Sequence, residues 1–266
     1  MSDVSRILSS ATVVAIVSFA LAAPGAAYAD RWSAPDGSGD VAGWHFDPDP
    51  APCGTFTDID GSADANDDIT GLTVRHTPRA VQVVVRFRDL SPRLEQSVSL
   101  HLAVPEIRGW TVDVDRFRAR SGKFRVLDFM ARELREPDPE DSDECGSVSV
   151  VVSEGACRTH PVFDFAADTV RVTVPRHCLR DPEWVGVGAA ASAWVDPDDP
   201  DDPTYGGFWD EWGTPEEGAS TWLPPFGPEV PAAPGATVGG AGSARMTSGQ
   251  REYAVQPGIP VRHPAL

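Results

Sequence analysis

ITGLTVRHTPRAVQVVVRFRDLSPRLEQSVSLHLAV, Ile69 to Val104, places an apolar residue at every second position through most of its length. Val74 is followed after a short turn by Val81, Val83, Val85 and Phe87, then by Val98, Leu100, Leu102 and Val104. Thr73, Arg75, Gln82, Arg86, Ser99 and His101 fall between them. A period of two puts the apolar side chains of a strand on one face and the polar ones on the other. Strands of this kind joined by turns such as Thr77-Pro78-Arg79-Ala80 form antiparallel sheet, and its apolar face has to be covered by a second sheet.

The same pattern extends outward. Trp110, Val112 and Val114 alternate with polar residues, and Lys123 to Met130 alternates until Leu127 and Phe129 shift the phase, which predicts a bulge near Val126-Leu127. Ser147 to Val152, Val162 to Phe165, Val170 to Val174 and Trp184 to Trp194 read as further strands, the last rich in glycine and alanine, which suits close packing by a neighbour. Upstream, residues 30–68 offer one strand, Val41 to Phe46, within turn-forming Gly, Pro, Asp and Asn. The expectation is an all-β antiparallel sandwich of about nine strands spanning residues 30–195. Residues 196–223 read as an acidic, aromatic loop on or near it, and residues 224–266 as a disordered Pro/Gly/Ala-rich tail.

Residues 1–29 carry one early cation, Arg6, an apolar run from Ile7 to Ala23, and Ala27-Tyr28-Ala29 as a cleavage site. That predicts a secretory signal peptide, an extracellular location, and no membrane span after cleavage. The net charge of -18 is concentrated: Asp47 to Asp68, Glu136 to Glu144 and Asp196 to Glu217 hold 22 of the 40 acids and no Lys or Arg. Acidity of this kind argues against nucleic acid as a partner. It leaves the oligomeric state open.

Cys53, Cys145, Cys157 and Cys178 predict two disulfides in an exported chain, with three connectivities. Cys157 and Cys178 flank a hairpin turning at Ala166-Ala167-Asp168, which sets them opposite one another. Cys53–Cys145 follows by elimination. No CxxC or Cys-His spacing supports zinc.

Two clusters suggest binding chemistry. Asp36 and Asp40 sit in DGSGD, and Asp58, Asp60, Asp64, Asn66, Asp67 and Asp68 precede the first core strand. Calcium takes six to eight oxygens on flexible loops, so these carboxylates are candidate ligands of a structural calcium ion. The alternative is a solvated acidic turn region. The second cluster is Tyr205, Trp209, Asp210, Glu211 and Trp212: aromatic faces flanked by carboxylates suit stacking on a pyranose and accepting hydrogen bonds from its hydroxyls. The alternative is that the rings cap the sandwich as core. Catalytic patterns are missing: there is no HExxH, no Gly-x-Ser-x-Gly and no phosphate-cradling loop. His76, in phase with Val74, reads as an inward strand residue.

At DGSGDV (36–41), DDITGLTVRH (67–76), VVVRFRDL (83–90) and VRVTVPRHCLRDPEWVGVGA (170–189) the chain resembles a group of secreted actinobacterial β-sandwich proteins. More remotely it is similar in architecture to jelly-roll modules of the DOMON and family-9 carbohydrate-binding type. The resemblance implies a jelly-roll-like architecture with sugar or haem binding and carries over no site residue; the chain's own residues lead to the expectation of a secreted, non-catalytic, calcium-stabilised module binding carbohydrate or cell-wall polymer. A structural or protein-interaction domain without a small-molecule ligand is the alternative.

Overall fold

The computed structural model describes residues 30–49, 54–105, 107–135, 149–153, 157–195, 205–213, 224–236 and 251–255. The expected signal peptide and the Cys53–Cys145 pair lie outside them. The alternating stretch forms β4 (Ile69–His76), β5 (Ala80–Phe87) and β6 (Gln96–Val104), followed by β7 (Ile107–Arg118). Register brings like with like: Val74 lies opposite Val83 and Leu72 opposite Val85, while Leu100 faces Val112 and Val98 faces Val114. All of these are buried. Each such side chain contributes about 1.5–3 kcal/mol when fully removed from water, so the apolar phase fixes which face of each strand turns inward.

Two antiparallel sheets make the sandwich. The smaller has the order β1-β4-β5-β11-β10, with β1 at Arg31–Pro35, β10 at His160–Asp164 and β11 at Thr169–Pro175. The larger runs β15-β9-β8-β7-β6-β12-β13-β2-β3. Its remaining strands are β2 (Ala42–Asp47), β3 (Thr55–Asp60), β8 (Phe124–Arg135), β9 (Ser149–Ser153), β12 (Trp184–Val195), β13 (Tyr205–Glu211) and β15 (Arg251–Val255). A two-residue β14 (Val230–Pro231) pairs with β12. β4 meets β12 and β10 meets β8 across the core.

The described residues therefore form fifteen strands where the sequence led us to expect about nine. β1 and β3 fall in the stretch read as turns, and β13 falls in the stretch read as a loop. All six β3 residues are exposed, so this edge strand carries no apolar alternation to detect. The expected bulge at Val126-Leu127 is corrected as well. β8 pairs with β7 without a break from Trp110/Arg132 to Arg118/Phe124, and the irregularity lies at Glu133/Arg135 against β9. Val126 and Leu127 are both exposed, so no buried face disciplines their phase.

Part of the stretch read as a tail is built into the sheet. Val230 is buried and pairs with Val185, and its carbonyl accepts a hydrogen bond from His76 Nδ1–H at 3.0 Å. His76 is thus the inward strand residue expected. Trp212 N–H donates to the Ala189 carbonyl and Gly227 N–H to that of Val187, so β12 stays covered along its edge beyond β13. The small residues of β12 allow this. A Cβ at Gly188 would lie 2.9 Å from both Pro224 Cγ and the Pro225 carbonyl oxygen. Gly188→Ala is accordingly expected to cost about 1–3 kcal/mol through overpacking, read as a lower urea midpoint with unchanged slope. An unchanged midpoint would mean that the Pro224–Gly227 segment does not seat there.

The disulfide Cys157–Cys178 is present, with its Cα atoms 5.7 Å apart. It links the segment leading into β10 to a single 3-10 turn, Arg176–Leu179, that follows β11. The hairpin between them turns through Asp168 at φ 50°.

Candidate functional site

The chain crosses between the sheets twice at one edge of the sandwich. It passes from β1 to β2 through residues 36–41, and from β3 to β4 through residues 61–68. β13 lies beside β2 at the same edge. The acidic residues of both crossings therefore converge with one face of β13.

Asp210 is the contribution of β13. It is buried, with Oδ2 accepting from Ile69 N–H at 2.7 Å and Oδ1 from Glu211 N–H at 2.9 Å. Asp40, Asp68 and Asp210 each place a carboxylate oxygen within 4.8 Å of the others. Asp68 accepts Gly39 N–H at 2.6 Å and Arg88 Nη1 at 2.9 Å, both on Oδ2. Gly39 sits at φ +78°, a left-handed conformation that glycine adopts without strain, and this turns its N–H toward Asp68. Asp36 ties the first crossing to the end of β13, because its Oδ2 accepts from Gly213 N–H at 2.8 Å.

Desolvation and mutual repulsion shape the electrostatics. Burial pushes the Asp210 carboxyl up to about 7, with the Asp40 and Asp36 charges adding to the rise. Burial and then the Asp64 charge push Asp67 up to about 8, although Gln96 Nε2 donates to its Oδ1 at 2.7 Å. Asp36 and Asp68 are also raised, chiefly by burial, and at Asp68 the Gly39 and Arg88 contacts work in the opposite direction. A carboxylate buried beside like charges favours its neutral form unless a cation arrives.

The seven acids singled out by sequence thus divide. Asp36, Asp40 and Asp68 gather with Asp210, and Asp64 and Asp67 act on the cluster's charge from the second crossing. Asp58 and Asp60 do not join: they are exposed on β3, and Asp60 bonds locally to the backbone N–H and side chain of Ser62. Asn66 is structural, donating to Gln96 Oε1 and accepting from Ser91 N–H.

The aromatic cluster also divides, by strand parity. Asp210 and Trp212 turn inward, and Trp212 packs on the core with an edge-to-face contact to Trp32 at 5.1 Å. Trp209 and Glu211 belong to the outer face, and Trp209 is 38 % exposed. Tyr205 pairs with Phe46 at the far end of β13. The expected single surface of five residues is therefore corrected to an outward pair and an inward pair on opposite sides of one strand.

The outer face holds aromatic residues that the sequence reading left out. Trp44 of β2 lies in one cross-strand row with Gly207 and Trp194, because Gly207 pairs with both. The two indoles meet edge to face at 5.2 Å. A side chain at position 207 would collide with the Trp44 ring, whose atoms come within 3.1 Å of a Cβ placed there. Phe56 of β3 continues the group at 5.9 Å from Trp44 and 4.6 Å from Phe46, and is 59 % exposed. Asp58 pairs with Trp44 and Asp60 with Ala42, so both carboxylates border this aromatic group. Glu211, half-buried on the same face, is raised by burial. The alternation Trp44-His45-Phe46 is the signal in the sequence that puts both rings on one face of the strand.

Together these features define an all-β, disulfide-bonded sandwich with an acidic cluster at one edge and aromatic rings on the outer face of its larger sheet. No family model, curated protein or solved structure matches the chain.

Proposed function

We propose that the chain is an exported, non-catalytic module whose outer aromatic face binds carbohydrate or cell-wall polymer. One observation carries this reading: Trp44, Phe56, Trp194 and Trp209 share the outer face of adjacent strands with Asp58, Asp60 and Glu211. Aromatic rings on a rigid sheet offer flat apolar surface at low entropic cost, and the bordering carboxylates accept hydrogen bonds from hydroxyls. The cross-strand pairing holds the rings in place before a ligand arrives, which reduces the ordering cost of binding.

Export is supported by the pattern of residues 1–29 and by the Cys157–Cys178 bridge, a bond suited to oxidising compartments.

The test is retention on insoluble polysaccharides and peptidoglycan. Wild type should be retained, and Trp209→Ala should weaken binding by about 1–2 kcal/mol, roughly tenfold in the association constant, while leaving the melting temperature unchanged within about 2 °C. Failure of the wild type to bind any polymer would overturn the proposal. It would favour the protein-interaction reading, for which the exposed edge strand β3, with Phe56 and Ile59 uncovered, is the specific support.

A further inference from the structure

We propose that Asp40, Asp68 and Asp210 form a binding site for one hard divalent cation, calcium, which clamps the two crossings between the sheets to β13. The inference is independent of the sugar reading, since these side chains lie on the opposite face of β13 from Trp209.

Three observations support it. Two ligands on opposite sides of a calcium ion are about 4.8 Å apart when each bond is about 2.4 Å. The three carboxylate oxygens, mutually within 4.8 Å, thus lie within the span of one coordination sphere. Asp68 is fully buried, yet its Oδ1 has no hydrogen-bond partner, while Oδ2 of the same carboxylate takes both Gly39 N–H and Arg88. A buried carboxylate oxygen without a donor is costly, and a cation shared with Asp40 and Asp210 would satisfy it. Finally, Asp210 is held by two backbone N–H groups, which fix its carboxylate in place beside Asp40 and Asp68.

Arg88 is the competing cation. It reaches Asp68 through Nη1, but its Nη2 is directed to the carbonyls of Ser62 and Asp64. The guanidinium thus pairs with Asp68, while Asp40 and Asp36 act on Asp210 as neighbouring like charges. Asp40 is exposed, which gives an ion a route in and leaves room for water to complete a shell of six to eight oxygens. The adjacent glycine matters as well: a Cβ at Gly37 would stand 2.5 Å from Asp40 Oδ2, so glycine is what lets this carboxylate fold back against the loop.

The experiment is calorimetric titration of chelator-treated full-length mature protein with calcium chloride, without polysaccharide, paired with melting curves. The expected result is one ion per chain with a dissociation constant between about 10 μM and 1 mM. The melting temperature should rise by several degrees at millimolar calcium. Asp40→Asn, an exposed change that leaves the core alone, should weaken binding at least about tenfold, and Asp210→Asn should do the same. Asp58→Asn, outside the cluster, should leave it unchanged. Absence of both heat and thermal shift in wild type at about 5 mM calcium would overturn the proposal, as would Asp40→Asn binding as tightly as wild type. A failure here leaves the polymer-retention result untouched, so the two proposals fail separately.

Discussion

Removing the Cys157–Cys178 bridge, as the Cys157→Ala/Cys178→Ala double variant, is expected to lower the unfolding free energy by about 3 kcal/mol. The bridge closes a loop of sequence separation 21, and that loop contains β10, β11 and the turn between them. β10 is the edge of the smaller sheet, with β11 as its one strand neighbour there. Val162 on β10 is exposed, so the strand's attachment relies less on burial than that of β5 or β11. Without the bridge the unfolded chain recovers the entropy of that loop, and the edge strand has fewer restraints. For a chain of this size the loss corresponds to a melting temperature lower by about 6–12 °C. Calorimetry of the double variant against wild type in the same buffer measures it. A shift below about 2 °C would show that β10 is held by pairing alone.

The second large effect is a pH dependence traced to His101. This residue of β6 pairs with Gly188 on one side and Thr111 on the other, and its Nδ1 is buried without a partner. Burial depresses its pKa to about 4 from the ordinary 6.5. The unfolded chain therefore takes up a proton below pH 6.5 that the folded protein refuses until about pH 4. The stability linked to a neutral His101 is complete above pH 6.5 and is lost progressively as pH falls toward 4. Asp67 and Asp210 act in the opposite sense, because their raised carboxyls keep protons in the folded state that the unfolded chain has released. Only a difference between proteins isolates the histidine. His101→Gln should gain about 2 kcal/mol relative to wild type between pH 7 and pH 4.5, read from urea unfolding at each pH. A constant difference across that interval would mean that His101 titrates normally in the folded state.

The parts of the fold legible in the sequence are those in which burial disciplines alternation. β4, β5, β6, β7, β11 and β12 each present a buried apolar residue at every second position, so their period is written in the chain. β3 is wholly exposed and held by backbone pairing, and β1 and β13 bring no branched aliphatic side chain to the core. Their sequences, RWSAP, TFTDID and YGGFWDE, contain proline, acids or glycine where a half-buried strand would show aliphatic residues. Backbone hydrogen bonds leave no trace in composition, so such strands become visible only with the tertiary structure.

The candidate sites follow the same logic. Asp36, Asp40 and Asp68 were detectable because acids crowd the two crossings. Asp210 stands among aromatic neighbours in sequence, and only the fold brings it to Asp40 and Asp68. Trp44 and Trp194 were missed for the converse reason. They are far apart in the chain and meet only because β13 lies between their strands and carries Gly207 where a side chain would separate them.

The alternation of β13 places Trp209 on the outer face proposed to take a polymer and Asp210 in the inner carboxylate cluster proposed to take a cation. A crossed assay tests it most directly, with polymer retention and the calcium-induced thermal shift measured on Trp209→Ala and Asp210→Asn. Trp209→Ala should lose retention and keep the shift, and Asp210→Asn should lose the shift and keep retention at a temperature where it is folded. The opposite assignment, or loss of both properties in each folded variant, would contradict it.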